Sequence, residues 1–246
     1  MKRMFSLFVT LWLGVMGASA QSNKYDLNHD GDINITDVIE LVNYILDKDN
    51  GNDGGNENDS IGIVIGEAID LGLPSGVKWA SCNIGATKPE ENGGYYAWGE
   101  TEEKEYYSDS TYVYYQNGAF VYIGDISGTE NDVAQVKWGG KWCMPTLDDF
   151  KELYNNCINE WTTFKNVNGL KFTSIINGNS IFLPAAGSYR YGVYSADSFG
   201  NYWSSTQGIF VNDGANNLYF NSCFSFWDSG KEHRCYGLSV RPVLKE

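Results

Sequence analysis

The chain has 246 residues and a formal net charge of −14, from 17 basic and 31 acidic side chains. Such acidity argues against nucleic-acid binding, which requires a basic surface. Hydrophobic residues form 42% of the chain, enough for a core, and aromatic residues form 15%, with 17 Tyr and 8 Trp. At about 100–200 residues per domain, the length allows one sizeable domain plus a small module. Composition thus favours a soluble, extracytoplasmic, aromatic-rich binding protein.

Residues 1–20 have the pattern of a secretory signal peptide. Lys2 and Arg3 form a positive start, Phe5–Val15 is apolar, and Ala18–Ala20 is a cleavage site of small residues. The apolar run is too short for a membrane anchor, and no later run could span a bilayer. We therefore expect cleavage after Ala20, no transmembrane segment in the remainder, and a secreted or cell-surface protein.

Five cysteines follow the signal peptide, and an oxidising compartment favours disulfides, although an odd count leaves one thiol over. Apolar and polar residues alternate on both sides of Asp228–Gly230. This alternation predicts a hairpin centred on that tripeptide, with Cys223 opposite Cys235 and close enough for a bridge. A second pair, Cys82 with Cys157, would leave the fifth thiol free.

Three segments follow the leader. Residues 24–47 form an acidic loop and a helix, and residues 48–60 are rich in Asn, Asp and Gly without an apolar residue, which indicates a flexible linker. Residues 61–246 form the main domain, whose short β-rich runs and frequent turn signals predict mostly strands.

Two elements of the main domain are well marked. Two β-rich runs flank Asn177–Gly178, the dipeptide that a type I′ hairpin turn requires. Thr146 can cap a helix, Asp149 completes a capping box, and Phe150 and Leu153 lie on one face of it. The expected fold class is α+β, with short antiparallel strands and at least one capped helix.

Residues 26–37, DLNHDGDINITD, have the spacing of an EF-hand calcium loop, with Gly31 at the sharp turn. Ca²⁺ needs six to eight oxygen ligands, and alternate residues of such a loop converge on one point. The alternative is an ordinary acidic turn. The predicted ligands are Asp26, Asn28, Asp30, Asp32 through its carbonyl, and Asp37, with Asn34 placed to act through water.

This loop and the helix after it resemble a type I dockerin repeat, although a dockerin has two repeats and this chain has one. The helix carries an apolar stripe within residues 38–46, which we expect to pack on the main domain, on a second half-repeat or on a cohesin-like partner. Since dockerins attach extracellular proteins to cohesins, the resemblance implies a calcium-stabilised tether.

Six motifs of the main domain occur in this order: AIDLGLPSGVKWASCNIGA (68–86), GGYYAWGE (93–100), GGKWCMPTLDDFKEL (139–153), NGNSIFLPAAG (177–187), GNYWSST (200–206) and GLSVRPV (237–243). Together they resemble the FISUMP-type major paralogous domain, common on secreted and surface proteins of Bacteroidetes. One departure is Cys143, where that family usually has Arg.

The Trp-x-x-Pro-Thr helix start at 142–146 and the terminal Ser-Val-Arg-Pro-Val strand at 239–243 also resemble formylglycine-generating-enzyme and C-type-lectin-like domains, which implies a C-type-lectin-like fold with a last strand closing onto the first. Arg241, within an apolar strand, is expected to be a buried hydrogen-bond hub. Five tryptophans set among small residues are expected in the core: Trp79, Trp98, Trp138, Trp142 and Trp203.

No catalytic residue is predicted. The two histidines, His29 in the calcium loop and His233 in a charged loop, lie near no serine-nucleophile motif, and zinc motifs are absent. The formylglycine-generating relatives use a close cysteine pair, whereas Cys223 and Cys235 are twelve residues apart and fit a structural bridge better. Among 31 acidic residues nothing singles out the carboxylate pair of a glycosidase.

Binding is better supported. Residues 95–122 hold ten aromatic residues, and residues 188–202 read SYRYGVYSADSFGNY. Tyr with Ser, Gly and Asn is typical of recognition loops, and aromatic faces also suit sugar rings. The alternative is that these tyrosines simply cover a small core. The sequences Glu-Pro-Asn and Trp-Asn-Asp of calcium-dependent lectins are absent.

The leading hypothesis is therefore a secreted or surface-displayed, non-catalytic module that binds a glycan or a protein. One alternative is a component of a polysaccharide-degrading system positioned by the dockerin-like module, which an acid pair with shifted pKa values in a cleft would favour. A structural or adhesion subunit is a third hypothesis.

Overall fold

The computed structural model describes residues 66–208, 213–223 and 225–245, with the backbone alone for 225–231. The described part is α+β and rich in short antiparallel strands, as expected. It contains a 3-10 turn at Asp109–Thr111 and two helices, α1 (Val133–Trp138) and α2 (Leu147–Asn156). The strands are β1 (Ala68–Asp70), β2 (Lys78–Ala80), β3 (Tyr115–Gln116), β4 (Ala119–Phe120), β5 (Trp142–Cys143), β6 (Cys157–Phe164), β7 (Val167–Ser174), β8 (Ser180–Pro184), β9 (Ser188–Tyr189), β10 (Val193–Tyr194), β11 (Phe199–Gln207), β12 (Gly214–Asn221), β13 (Ser225–His233) and β14 (Val243–Leu244).

These strands form three sheets and two small hairpins. The sheets have the orders β1-β2-β14-β5, β6-β7-β8 and β11-β12-β13, and the hairpins are β3–β4 and β9–β10. The last strand, β14, lies in the same sheet as β1 but pairs with β2 and β5. Val243 lies opposite Trp79 in β2 and opposite Cys143 in β5. The two ends of the domain therefore meet in one sheet.

The predicted hairpin around Asn177–Gly178 is present as β7–β8, but its loop is wider than a two-residue turn. The pairing between β7 and β8 ends at Thr173 opposite Ser180, and a further backbone hydrogen bond joins the Ser174 N–H to the Asn179 carbonyl. The Ser174 hydroxyl accepts the N–H group of Ile176 at 3.0 Å, which holds the wider loop together. Gly178 adopts φ +77°, as the turn signal implied.

The predicted capping box of α2 is confirmed. The Thr146 hydroxyl accepts the Asp149 N–H at 3.1 Å, and the Asp149 carboxylate accepts the Thr146 N–H at 2.7 Å. Phe150 and Leu153 face the core, as predicted. Helix α1 was not predicted, because its six residues are too few to show a helical period; it depends on the buried cap Asp132, which accepts four backbone N–H groups.

The five tryptophans expected in the core are all there. Each is 2% exposed or less. Trp98 donates its indole N–H to the Ser204 carbonyl and Trp203 donates to the Tyr96 carbonyl, both at 2.8 Å. These bonds tie the 93–100 segment to β11 and fix the relative positions of two of the motif segments.

Arg241 is the buried hub that its place in an apolar strand predicted. It is fully buried and donates to the Asn83 side-chain oxygen at 2.8 Å and to the Phe182 carbonyl at 2.9 Å. It also donates to the carbonyls of Ala80 and Ser81. One guanidinium thus joins the β2 end, the 81–83 turn and β8.

The predicted Cys223–Cys235 bridge is wrong. The alternation around Asp228–Gly230 belongs to one continuous strand, β13, which pairs along β12 with Asp228 opposite Asn217. Cys223 lies exposed at the β12–β13 turn, whereas Cys235 is buried beyond the end of β13.

The other cysteines are unbonded as well. Cys82 and Cys157 pack in different hydrophobic clusters, so the second predicted pair does not form either. Burial raises the pKa of the Cys157 thiol to about 11 and that of the Cys235 thiol to about 12. Both behave as apolar core residues at neutral pH.

Candidate ligand-binding surface

The tyrosine-rich segment 95–122 is partly core. Tyr95, Tyr107 and Tyr112 are buried with Ala97 and Cys235, and we call these five residues the tyrosine cluster. The tyrosine hydroxyl groups form hydrogen bonds inside the protein: Tyr95 donates to the Ala186 carbonyl at 2.6 Å, and Tyr112 donates to the Trp98 carbonyl at 2.7 Å. For these residues the small-core interpretation is confirmed.

The β9–β10 hairpin is fastened onto this cluster. The Tyr107 N–H donates to the Arg190 carbonyl at 2.9 Å, and Tyr189 exchanges two backbone hydrogen bonds with Gly237. The Tyr189 ring packs against the rings of Tyr95 and Tyr107 at centroid distances of 5.6 and 5.3 Å. The backbone at residue 237 can lie close to the Tyr107 ring because the residue is glycine. A Cβ atom there would lie only 3.0 Å from the ring. The hairpin therefore has a rigid, apolar backing.

The hairpin presents aromatic rings to solvent. Tyr191 is 79% exposed and Tyr194 63% exposed, and Tyr106 from the tyrosine-rich segment is 50% exposed. Tyr106 contacts Tyr191 at 6.2 Å, Tyr194 contacts Phe199 at 6.3 Å, and Phe199 stacks on Tyr219 at 5.3 Å. We call these five residues, Tyr106, Tyr191, Tyr194, Phe199 and Tyr219, the hairpin aromatics.

Charged side chains border this surface. The Arg190 guanidinium lies 3.8 Å from the centroid of the Tyr236 ring, and the His233 ring contacts Tyr236 at 5.2 Å. The Nδ1 atom of His233 lies 3.4 Å from an Asp213 carboxylate oxygen. The exposed His233 is thus part of a polar border that also holds Asp213 and Tyr236.

Arg234, next to His233 in the sequence, is buried instead. Its guanidinium lies between the rings of Trp98, Tyr112 and Phe120, at 5.3 to 5.7 Å from their centroids, and donates to the Val121 carbonyl at 2.9 Å. Burial lowers its pKa. Its place in a run of four charged residues predicted a surface loop, so sequence reasoning missed this contact.

A small acidic pocket of about 280 Å³ opens beside the tyrosine cluster. One Glu100 oxygen accepts the Val113 N–H at 2.8 Å and the other forms an ion pair with Lys104. Glu102 pairs with Lys137 at 2.7 Å. The pocket lining is Gly99, Glu100, Thr101, Glu102, Lys104, Val113, Tyr114, Glu130 and Asn131.

A second groove, of about 450 Å³, lies between β1 and the β6-β7-β8 sheet. Its lining includes Ile69, Thr162, Phe164, Lys171 and Phe182, and the Phe164 and Phe182 rings contact each other at 5.4 Å. This groove carries few exposed aromatic faces and no carboxylate besides Glu67.

The predicted calcium ligands Asp26, Asn28, Asp30, Asp32 and Asp37 lie outside the described residues, as do the signal peptide, the 38–46 helix and the linker. Within the described ranges no group of three or more His, Cys, Asp or Glu side chains could hold a metal ion. The same part of the chain has no helix that is long and apolar enough to cross a membrane.

Comparisons of this chain with protein-family models, with curated proteins and with solved structures return no significant match. The FISUMP, dockerin and C-type-lectin-like resemblances therefore stay predictions. The exposed tyrosines are accordingly interpreted from their own geometry.

The sequence located the two segments that supply four of the hairpin aromatics, but it did not single out Tyr219 and did not show that Tyr106 and Tyr191 meet. The available signal was compositional: two tyrosine-rich segments, 95–122 and 188–202, both of which also allowed a core role. Their contact depends on the long-range bond between the Tyr107 N–H and the Arg190 carbonyl.

Proposed function

We propose that this protein is a secreted or cell-surface, non-catalytic binding module with a C-type-lectin-like fold, and that it recognises glycans through the hairpin aromatics. The observation that carries the proposal is the exposure of Tyr191 and Tyr194 on a hairpin anchored to buried rings, together with that of Tyr106, which contacts Tyr191; the three are 50–79% exposed. Isolated exposed apolar residues are ordinary, whereas a group of exposed aromatic rings indicates an interaction site.

The chemistry of tyrosine suits a sugar. A pyranose ring offers C–H groups to an aromatic face and hydroxyl groups to polar neighbours, and tyrosine supplies a large apolar face with a polar tip. Each side chain has few rotatable bonds, so little conformational entropy is lost when it contacts a ligand. The tyrosine cluster beneath the hairpin lowers that cost further, because the backbone is already held in place.

The acidic pocket gives weaker support to the polysaccharide-degrading alternative. Two of its three glutamates already form ion pairs with Lys104 and Lys137. Among the described carboxyl groups, Asp132 has its pKa raised by burial, but it caps α1 inside the protein. A catalytic acid pair needs reach to a substrate, which this buried cap does not provide.

We further propose that residues 26–37 bind Ca²⁺ and form a tether with the 38–46 helix, whose apolar stripe meets a second half-repeat or a cohesin-like partner. The support is the match of the loop to the ligand spacing of calcium sites. Calcium titration of the whole chain should show one site that the Asp30→Ala change removes. The matched control is His29→Ala, at loop position 4, where the spacing of calcium loops requires no ligand; equal loss in both variants would contradict the assignment.

The glycan proposal is tested by binding of the whole chain to a panel of plant, mucin and host glycans, with calcium and again with a chelator. Binding that survives chelation supports recognition by the 61–246 domain. Loss of binding on chelation would move recognition to the calcium loop. Absence of binding in both conditions would overturn the glycan proposal and favour a protein partner.

A further inference from the structure

Resting on the glycan-binding function proposed above, we infer that the hairpin aromatics take a neutral, flexible glycan chain or its terminal sugar, and not a flat crystalline polysaccharide face or a polyanionic glycan. Two properties of the surface carry this inference: the angles between its rings and the charges around them.

The first property is that the exposed rings do not share a plane. The Tyr106 and Tyr191 rings are inclined at 54° to each other, and the Tyr194 and Phe199 rings at 54°. A crystalline polysaccharide presents a flat face, and a flat face can lie parallel to only one ring of each such pair. A single chain that bends, or a terminal sugar reached from two sides, can contact both rings of a pair.

The backbone that carries these rings is held on both sides. The carbonyl of Tyr106 accepts the Thr111 hydroxyl at 2.9 Å, next to the 3-10 turn. Tyr191 lies at the hairpin turn, where the Arg190 N–H donates to the Gly192 carbonyl and Val193 pairs with Tyr189. These bonds fix the two separate backbone positions from which the rings project, so a ligand that contacts both rings has to reach two segments and not one continuous flat platform.

The second property is charge. The chain carries a net charge of −14, which repels polyanions at low ionic strength. Arg190, the basic side chain next to Tyr191, lies 3.8 Å from the centroid of the Tyr236 ring. Burial raises the pKa of Tyr236, Arg190 lowers it, and Cys235, Glu232 and Asp109 raise it, so carboxylates as well as this cation lie near that ring. A sulfated or uronic-acid glycan thus meets carboxylates beside the cation, within a strongly acidic chain.

The experiment compares three ligand classes with the whole chain. Soluble neutral polysaccharides such as mannan, xylan and mixed-linkage glucan are tested by affinity electrophoresis and calorimetry. Crystalline cellulose and chitin are tested by depletion of the protein from solution, and polygalacturonate and heparin by calorimetry at low and high salt. We expect binding to at least one neutral soluble polymer, unchanged by salt, with no depletion by the crystalline solids.

Variants tie the binding to the surface. Tyr191→Ala and Tyr106→Ala should each weaken binding about tenfold, since one ring contact accounts for roughly that factor. Tyr191→Phe keeps the ring and should bind within about threefold of the unmodified protein. Tyr122→Ala is the matched control: Tyr122 is 69% exposed, and among the described residues it has no ring contact with the hairpin aromatics.

The outcomes separate the two proposals. Depletion by crystalline solids that Tyr191→Ala abolishes would overturn the inference about ligand shape and leave glycan binding intact. Salt-sensitive binding to polyanions alone would overturn the inference about charge. Failure to bind any glycan would overturn the proposed function itself, and equal weakening by Tyr122→Ala would remove the assignment to this surface.

Discussion

Five tryptophans of this domain and its tyrosines are used in different ways. Trp79, Trp98, Trp138, Trp142 and Trp203 are all buried, whereas the tyrosines are divided between a buried cluster and an exposed surface. Tyr106 and Tyr107 show the division most directly: they are adjacent, yet Tyr107 is 2% exposed and Tyr106 is 50% exposed.

The difference shows that one residue type can both stabilise the interior of the domain and form an exposed surface. A tyrosine ring can be buried if its hydroxyl group finds a carbonyl, as in Tyr95 and Tyr112. The same side chain tolerates water when the hydroxyl faces outward. The buried members then hold the backbone from which the exposed members project, so changes in the two groups should separate stability from binding.

The largest expected effect is in the tryptophan core. Trp203→Ala should lower the free energy of unfolding by about 3–5 kcal/mol, because it leaves a cavity and removes the indole bond to the Tyr96 carbonyl. Urea denaturation measures the loss, and Tyr122→Ala, at an exposed ring, should change stability by no more than about 0.5 kcal/mol. Similar values for the two variants would contradict the contrast between buried and exposed rings.

A second change concerns the hub that joins the core segments. Arg241→Met should cost about 2–4 kcal/mol, because the side-chain oxygen of Asn83 and several buried carbonyls lose their donor. Arg190→Met is the matched control; Arg190 is exposed and its ring contact with Tyr236 is worth about 1 kcal/mol at most. Equal losses from the two arginines would refute the role of Arg241 as a hub.

A third test measures how the buried tyrosines affect stability at alkaline pH. Burial raises the pKa of Tyr95 and of Tyr107 from 10.0 to about 12. The folded state therefore keeps these protons where the unfolded chain has lost them, so the stability they contribute is complete below pH 10 and is lost as the pH rises through about 12. Unfolding free energies across this range should fall gradually.

The control for this test is the double variant Tyr95→Phe with Tyr107→Phe. It removes both titrating groups, so its stability should fall less steeply above pH 10 than that of the unmodified protein. Phenolate absorbance followed in parallel shows when the buried rings ionise. Identical slopes for the two proteins would show that other groups cause the alkaline loss.

Local signals predicted the parts of the fold that depend on local chemistry. The capping box of α2 needs only Thr146 and Asp149, which are three residues apart, and the Arg241 hub follows from a charge placed in an apolar strand. The Cys223–Cys235 prediction failed because alternation has the same period in one long strand as in the two arms of a hairpin.

The candidate site was predictable in composition and not in geometry. Nothing local distinguishes Tyr106 from Tyr107, because it is decided only on folding that Tyr107 packs against the Tyr189 ring in the interior while Tyr106 stays exposed. The contact between Tyr106 and Tyr191 joins residues that are far apart in the sequence. Such contacts are determined by tertiary packing, which a single sequence does not encode in any short pattern.

The smallest expected effect on stability is at the surface itself. Tyr191 is 79% exposed and its ring contacts the Tyr106 ring at 6.2 Å, so Tyr191→Ala should change the free energy of unfolding by no more than about 0.5 kcal/mol. Thermal and urea denaturation, run on the same samples as the glycan titrations, measure both properties together. A loss of several kcal/mol would mean that Tyr191 supports the hairpin, and the exposed tyrosines would then belong with the buried ones as scaffold. Unchanged stability with weakened glycan binding would instead show that the two sets of tyrosines have separate roles. The buried tyrosines would hold the hairpin in place, and the exposed tyrosines would bind the ligand.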